Sequence, residues 1–244
     1  MANRVAVVTG ATGGIGSAIC RSLAEAGCRV GVVCRRNQAA AEALSRSLAG
    51  NGHAPLQADV TDAASLDRLA RQVAERYGTV DILVNSAGTT RFVPHADLTG
   101  LDDELIDAIF RTNWRGPFAT IRALRPLVEG GGGGVVINIS SIAATSGIGS
   151  NVAYCASKAA LNTMTVSLAR ALAPAIRVLS ICPGLVDTEF IQGLDPAWRQ
   201  EQVSRTPLGR LTLPDEVGKA VVAAVTLTAS TGSTITVDGG RLLA

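Results

Sequence analysis

The chain has 244 residues, 47% of them apolar but only 3% aromatic, and its 22 Lys and Arg against 20 Asp and Glu leave a net charge of +2. Those values predict one domain over residues 1–244 with an aliphatic core, and they exclude the basic footprint of a nucleic-acid binder. Mean hydropathy is +0.29, yet no apolar run approaches the roughly 18 residues of a membrane span, and residues 5–8 fall short of a signal core of about 7 residues or more. The expected location is the cytoplasm. Five dispersed cysteines without a C-x-x-C pair predict free thiols. The two histidines, His53 and His95, stand apart, so no metal site and no histidine-based triad is expected.

Short apolar runs alternate with longer amphipathic ones, the pattern of a parallel sheet with crossover helices. A strand at 4–9 leads into a helix at 14–26, a strand at 29–34 into a helix at 38–49, and a strand at 54–58 into a helix at 63–77. Strands at 81–84, 135–140 and 177–181 precede helices at 102–128, 152–173 and 214–228, and a strand at 234–237 closes the set. Seven strands leave no second domain. The glycines of 130–134 predict a tolerant surface loop. Residues 187–213 contain Gly193, Pro196 and Pro207 with little periodicity, and read either as a lid or as an irregular connection.

The first strand runs directly into Thr9-Gly-Ala-Thr-Gly-Gly-Ile-Gly16 at the start of the first helix. Glycines there permit a tight turn that brings helix N-terminal N–H groups against a pyrophosphate. The second strand ends in Cys34-Arg35-Arg36-Asn37, where dinucleotide sites often carry an acid for the ribose 2′-hydroxyl. Two guanidiniums suit a 2′-phosphate instead, so NADP(H) is expected over NAD(H).

Tyr154 and Lys158 are four residues apart, which places them on one face of a helix. A phenol has a pKa near 10, and a neighbouring ammonium favours the phenolate, each tenfold gain in acidity being worth roughly 1.4 kcal/mol. The pair is a candidate proton donor and acceptor for a carbonyl or an alcohol, with Ser141 upstream. Pro117 follows Asn113 by four residues, so the Asn113 carbonyl loses its usual helical donor. That predicts a kink there and leaves two readings, a carbonyl that holds a water or a proline that merely bends a long helix.

Together, Thr9–Gly16, Asp59-Val60, Asn85-Ser-Ala-Gly88, Asn113, Ser141, Tyr154, Lys158, Pro183-Gly184 and Asp238-Gly-Gly240 resemble the single-domain short-chain dehydrogenase/reductases. The general likeness is to the 3-oxoacyl-thioester reductases. The glycine run also fits the longer epimerase-like branch, but 244 residues leave no room for its extra domain. The resemblance implies a doubly wound, seven-stranded Rossmann sheet and a nicotinamide cofactor that supplies the hydride. By position, Ser141 would bind the substrate carbonyl oxygen and Tyr154 would deliver its proton. Lys158 would depress the Tyr154 pKa and hold the nicotinamide ribose, and Asn113 would complete a relay through a water. Gly10, Thr12, Gly13, Gly14, Ile15 and Gly16 would cradle the phosphates, with Arg35 and Arg36 at the 2′-phosphate. Asp59 and Val60 would meet the adenine, while Asn85, Ala87 and Gly88 would form the loop along the cofactor. Pro183, Gly184, Val186 and Thr188 would line the nicotinamide side. The likeness further implies a homotetramer or homodimer and no membrane or nucleic-acid partner.

Three departures from the family pattern stand out. Ser86 replaces a second asparagine, Leu179 replaces an asparagine that ties backbone together, and the segment before Asp238 is short. The expected substrate is a 3-oxoacyl thioester or a small ketone. The rivals are oxidation of a secondary alcohol or polyol, and a dinucleotide sensor without turnover. The helix ends that would meet an acidic carrier protein read Glu129-Gly-Gly131 and Ala173-Pro-Ala175, which offers it little charge, although Arg91, Arg122 and Arg125 could compensate. Phe92, Ile148, Val186, Phe190, Leu194 and Trp198 read as an apolar entrance or as packing and subunit contacts.

Overall fold

Seven short runs, aliphatic enough to be buried on both faces, make the sheet. They are β1 (Val5–Thr9), β2 (Arg29–Cys34), β3 (Ala54–Gln57), β4 (Ile82–Asn85), β5 (Gly134–Ile139), β6 (Ile176–Pro183) and β7 (Thr234–Val237). In this computed structural model, which describes residues 1–243 with the exception of the Phe190 side chain, every strand pairs in parallel in the order β3-β2-β1-β4-β5-β6-β7. Ten α-helices occur among the described residues: α1 (Gly14–Glu25), α2 (Gln38–Ser47), α3 (Ala63–Tyr77), α4 (Asp103–Phe110), α5 (Gly116–Gly130), α6 (Ala143–Ser146), α7 (Val152–Leu172), α8 (Glu189–Gln192), α9 (Pro196–Ser204) and α10 (Pro214–Thr226).

Strand alternation sorts the core into two layers. Ala6 and Val8 of β1 pack with Ile19 and Leu23 of α1 and Val217 and Val221 of α10. Val5 and Val7 face the other way, with Leu66 and Leu69 of α3, Leu124 of α5 and Leu161 of α7. Each fully buried side chain of this kind contributes about 1.5–3 kcal/mol. Leu179 belongs to the first layer, fully buried and paired with Ile137. The asparagine that the family pattern has there would sit in a dry core, and the loop after β6 is anchored without it: Gly184 N–H and the Thr212 hydroxyl both donate to the Val237 carbonyl, at 2.9 and 3.2 Å. The short segment before Asp238 still forms β7.

Two expectations need correction. The helix at 102–128 is broken by a π-helical turn at Arg111–Arg115, in which Gly116 N–H reaches back to the Arg111 carbonyl. Pro117 lies in the first turn of α5, where its missing N–H is tolerated. The proline cannot serve the Asn113 carbonyl, and the extra residue in the π turn shifts the hydrogen-bond register just before it. The loop at 130–134 is not freely tolerant either. Gly133 has φ +98° and its α-carbon faces the Ala175 carbonyl so closely that no β-carbon fits, and Gly134 is pressed in the same way against the Asp81 carbonyl. Both positions require glycine.

The aperiodic stretch 187–213 carries α8 and α9 on a fixed base. Val186 and Thr212 form an isolated parallel bridge, and Asp187 N–H donates to the Thr212 carbonyl at 2.8 Å. The single-domain, doubly wound architecture is as the sequence implied. Among the described residues no helix is long and apolar enough to cross a membrane.

Candidate active site

The chain winds outward from β1 through β2 to β3 and then returns to β4 on the other side of β1. Strand order therefore reverses between β1 and β4, and a crevice opens at their C-terminal ends. Gly10 leaves β1 with φ +65°, and a β-carbon there would lie 2.7 Å from the Ala87 backbone. The Thr9 hydroxyl stitches the same two turns, accepting from Ser86 N–H and Ala87 N–H at 3.2 and 3.3 Å. Gly16 packs against the Gly10 carbonyl with no space for a side chain.

The start of α1 is left open. Side chains of Asn37, Asp62, Asp102, Asn151 and Asp195 cap α2, α3, α4, α7 and α9, whereas Gly13 offers α1 none. The first N–H groups of α1, at Gly14, Ile15 and Gly16, have no intrahelical acceptor, and the positive end of the helix dipole lies beside them. That is a fit for a pyrophosphate, with Thr12 half-buried in the same turn.

At the far end of the crevice Arg35 and Arg36 line a cavity of about 410 Å³ with Gln57, Asp59, Ser65 and Arg68. Burial alone would raise the Asp59 carboxyl, but the Thr61 hydroxyl and amide, at 2.7 and 2.8 Å, together with Arg35 and Arg36 hold it below its ordinary value. It is an ionised acceptor at neutral pH. Val60 beside it is buried against Gly116 at the start of α5.

The predicted chemical residues gather at the C-terminal ends of β4 and β5. Gly88 faces the Asn113 Oδ1 and Lys158 Nζ atoms, which a β-carbon there would meet at 3.5 and 3.9 Å. The Lys158 ammonium donates to the Ile139 carbonyl at 2.8 Å and lies 5.7 Å from the Tyr154 ring centroid. Burial pulls the Lys158 pKa down to about 8. Burial also pushes the Tyr154 phenol up, the Ser141 hydroxyl beside it pulls it back, and the Cys155 and Cys182 thiols add to the rise. The expected depression of Tyr154 by Lys158 is therefore not found in this structure. The Lys158 ammonium is tied to the Ile139 carbonyl, and desolvation of the phenol outweighs what pulls its pKa down.

Asn113 is fully buried, and three hydrogen bonds hold its amide. Oδ1 accepts from Thr89 N–H at 2.8 Å, and Nδ2 donates to the Thr89 carbonyl at 3.0 Å and to Ser157 Oγ at 3.2 Å. The Asn85 side chain reaches across the sheet to β5. Its Nδ2 donates to Asn138 Oδ1 at 2.9 Å, Asn138 donates to Thr165 Oγ1 at 2.9 Å, and the buried Asn85 Oδ1 has no partner among the described residues. Pro183 ends β6, Gly184 abuts Asp238, Val186 is buried, and the Thr188 side chain packs on Gly14.

On the open side Phe92 and Ile148 are 72% and 76% exposed, Leu194 is also exposed, and Trp198 is half-buried; the Phe190 side chain lies outside the described residues. A bidentate Arg199–Asp187 pair, with contacts of 2.6 and 3.3 Å, ties α9 to the base of the 187–213 segment. Two residues of the site are not among those expected from the sequence. Asn151 had a signal, since an Asn directly before an apolar helix marks a helix start. Arg68 had none, because only the fold brings it to Arg35 and Arg36.

The family model described as enoyl-(acyl carrier protein) reductase matches residues 10–241. A protein named as ketoacyl reductase 2 of the granaticin polyketide synthase of Streptomyces violaceoruber is 38% identical, with 98% of this chain and 96% of that protein covered. The D-threitol dehydrogenase of Mycolicibacterium smegmatis is 36% identical over 97% of this chain and 92% of its own. A short-chain dehydrogenase/reductase of Burkholderia xenovorans superposes with TM-score 0.91 at 33% identity, each chain covered in full. The chain belongs to the short-chain dehydrogenase/reductase family. It is an oxidoreductase of that family, acting on an alcohol or ketone group with a nicotinamide dinucleotide.

For a short-chain dehydrogenase/reductase, a lysine buried at this depth is a cost to the fold. Its folded pKa of about 8 lies below the ordinary 10.5. The unfolded chain therefore holds more protons between those values, and stability rises with pH across that window. Below pH 8 the penalty is present in full. Lys158→Met is expected to raise the melting temperature at pH 7 and to lose most of that advantage by pH 10, as read by thermal denaturation of the cofactor-free protein. A variant less stable than the wild type at pH 7 would contradict this.

Proposed function

We propose that the protein is an NADPH-dependent ketone reductase in which Tyr154 protonates the substrate oxygen. The observation that carries this reading is the meeting of Ser141, Tyr154, Lys158 and Asn113 at one end of the crevice, with an uncapped helix and an arginine pair along the rest of it. The dinucleotide supplies the hydride. Arg35 and Arg36 grip its 2′-phosphate, the α1 N–H groups take the pyrophosphate, and Asp59 accepts from the adenine amino group.

The Ser141 hydroxyl holds the carbonyl oxygen of the substrate beside the Tyr154 phenol. A phenol kept above its ordinary pKa retains its proton through the neutral range, which is the state needed to donate. Lys158 holds the ribose and supplies positive charge as the phenol proton leaves. The Asn113 side chain is committed to Thr89 and Ser157, and its backbone carbonyl, to which Pro117 cannot donate, is the group offered to a relay water. Phe92 and Ile148 present apolar surface at the entrance, which suits the acyl chain of a 3-oxoacyl thioester or a small hydrophobic ketone. The named relatives include both a ketoacyl reductase and a D-threitol dehydrogenase. Alcohol or polyol oxidation is thus the second reading.

Five free, buried cysteines fit a reducing compartment, and we place the protein in the cytoplasm. The half-exposed Trp114–Phe118 stack, with Arg122 over Phe118, and the exposed Val152 and Val166 on α7 favour a homotetramer or homodimer built on α5 and α7.

Tyr154→Phe should lower kcat for ketone reduction by about 10²–10⁴-fold. Wild-type kcat for reduction should stay flat from pH 6 to 8, because the donor keeps its proton below a raised pKa, while alcohol oxidation climbs over the same window. A reduction rate that falls with a midpoint near 7 would mean that the phenol titrates there and would overturn the assignment. Replacing both Arg35 and Arg36 by Ala should raise KM for NADPH by about ten- to a hundredfold and leave KM for NADH within a few-fold. A wild type that prefers NADH in side-by-side assays would sink the NADPH reading.

A further inference from the structure

Asn151 touches neither reacting atoms nor any position assigned to the cofactor, yet it is fully buried. Its Oδ1 accepts from Tyr154 N–H at 2.7 Å, which caps α7. Its Nδ2 donates to the Arg91 carbonyl at 2.7 Å and to Thr90 Oγ1 at 3.2 Å. A backbone N–H can only donate and a backbone carbonyl can only accept, so one orientation of the amide satisfies both ends. The amide offers its acceptor and its donor on two separate atoms, which lets it span from the Tyr154 N–H to the Arg91 carbonyl.

These bonds close a ring. From Tyr154 the path runs through Asn151 to residues 90–91 and along the backbone to Thr89. Asn113 holds Thr89 on both its N–H and its carbonyl, and Asn113 Nδ2 donates to Ser157 Oγ at 3.2 Å. Ser157 Oγ then donates to the Tyr154 carbonyl at 2.8 Å. Two parallel contacts brace the same seam: Thr90 Oγ1 and Ser150 Oγ lie 2.5 Å apart, and Val93 N–H donates to the Ser150 carbonyl at 2.8 Å. The segment just after Gly88 is thereby bound to the first turn of the helix that carries Tyr154 and Lys158.

We infer that Asn151 is a positioning residue that couples dinucleotide binding along Gly88–Thr90 to the placement of the Tyr154 phenol. The inference rests on the proposed path of the cofactor past Gly88. Ordering that segment orders Arg91 and Thr90, and through the Asn151 amide it orders the start of α7. The Asn113 arm alone reaches α7 one turn later, at Ser157, and does not hold the Tyr154 N–H.

Asn151→Asp and Asn151→Ser separate the two halves of the amide. Both keep an oxygen that caps a helix as well as asparagine does; aspartate has no donor, and the shorter serine carries its one proton on the capping oxygen itself, so neither spans from the Tyr154 N–H to the Arg91 carbonyl as the amide does. The test is hydrogen exchange with and without NADPH, read by mass spectrometry over residues 10–20 and 152–158. In the wild type NADPH should slow exchange of both segments, the second by about fivefold or more. In each variant the 10–20 segment should still be protected, while protection of 152–158 falls below about twofold and kcat falls at least about tenfold. Wild-type protection of 152–158 in either variant would overturn the coupling. Absence of protection at 10–20 in the wild type would instead remove the cofactor reading on which the coupling stands.

Discussion

Two backbones meet without a side chain between them at the centre of this molecule. Gly10 leaves β1 in the left-handed region and presses on the backbone of Ala87, so closely that a methyl group would stand 2.7 Å from its amide nitrogen. Gly16 closes on the Gly10 carbonyl from the other side. These contacts bring the turns after β1 and β4 together and set the start of α1 beside them. Residues with side chains would force the turns apart and fill the crevice floor. The bare floor is therefore the condition for a long flat ligand to lie across the sheet.

The chemical end of the crevice is assembled at a cost to the core around it. Lys158, Asn113 and Asn151 are buried polar groups in an aliphatic protein, and Asn85 keeps one buried oxygen without a partner among the described residues. Such groups are tolerated where their hydrogen bonds are complete, and Asn113 and Asn151 achieve that largely with main-chain partners. Lys158 does not fully achieve it: one carbonyl at 2.8 Å offsets only part of the desolvation that lowers its pKa. Local disagreement between a buried charge and its surroundings is what a functional site looks like in an otherwise consistent fold. The same burial raises the Tyr154 phenol above its ordinary pKa.

Much of this was readable in the residues. Val and Ile runs of strand length, separated by helical stretches, specify a parallel sheet, because only strands covered on both faces read as nearly continuous apolar segments. Tyr154 and Lys158 share a face by helical spacing alone. The break at Arg111–Arg115 was half visible: Pro117 announces a lost hydrogen bond, but a proline does not say whether the chain kinks or inserts a residue to form a π turn. The need for glycine at Gly133 and Gly134 was hidden, since it comes from carbonyls of Ala175 and Asp81, distant in sequence. Arg68 reaches the Arg35–Arg36 cavity only after α3 packs beside β3. The direction in which the Tyr154 pKa moves was hidden for a related reason. Spacing gives the neighbour, whereas the pKa depends on how much water the fold removes.

One dinucleotide is proposed to lie along the crevice from the arginine pair to Tyr154. A crystal structure of the protein soaked with NADPH tests it most directly. The 2′-phosphate is expected between Arg35 and Arg36, the pyrophosphate on the N–H groups of Gly14–Gly16, and the nicotinamide beside Tyr154 and Lys158. A 2′-phosphate in solvent away from both arginines, or a nicotinamide remote from Tyr154, would contradict it.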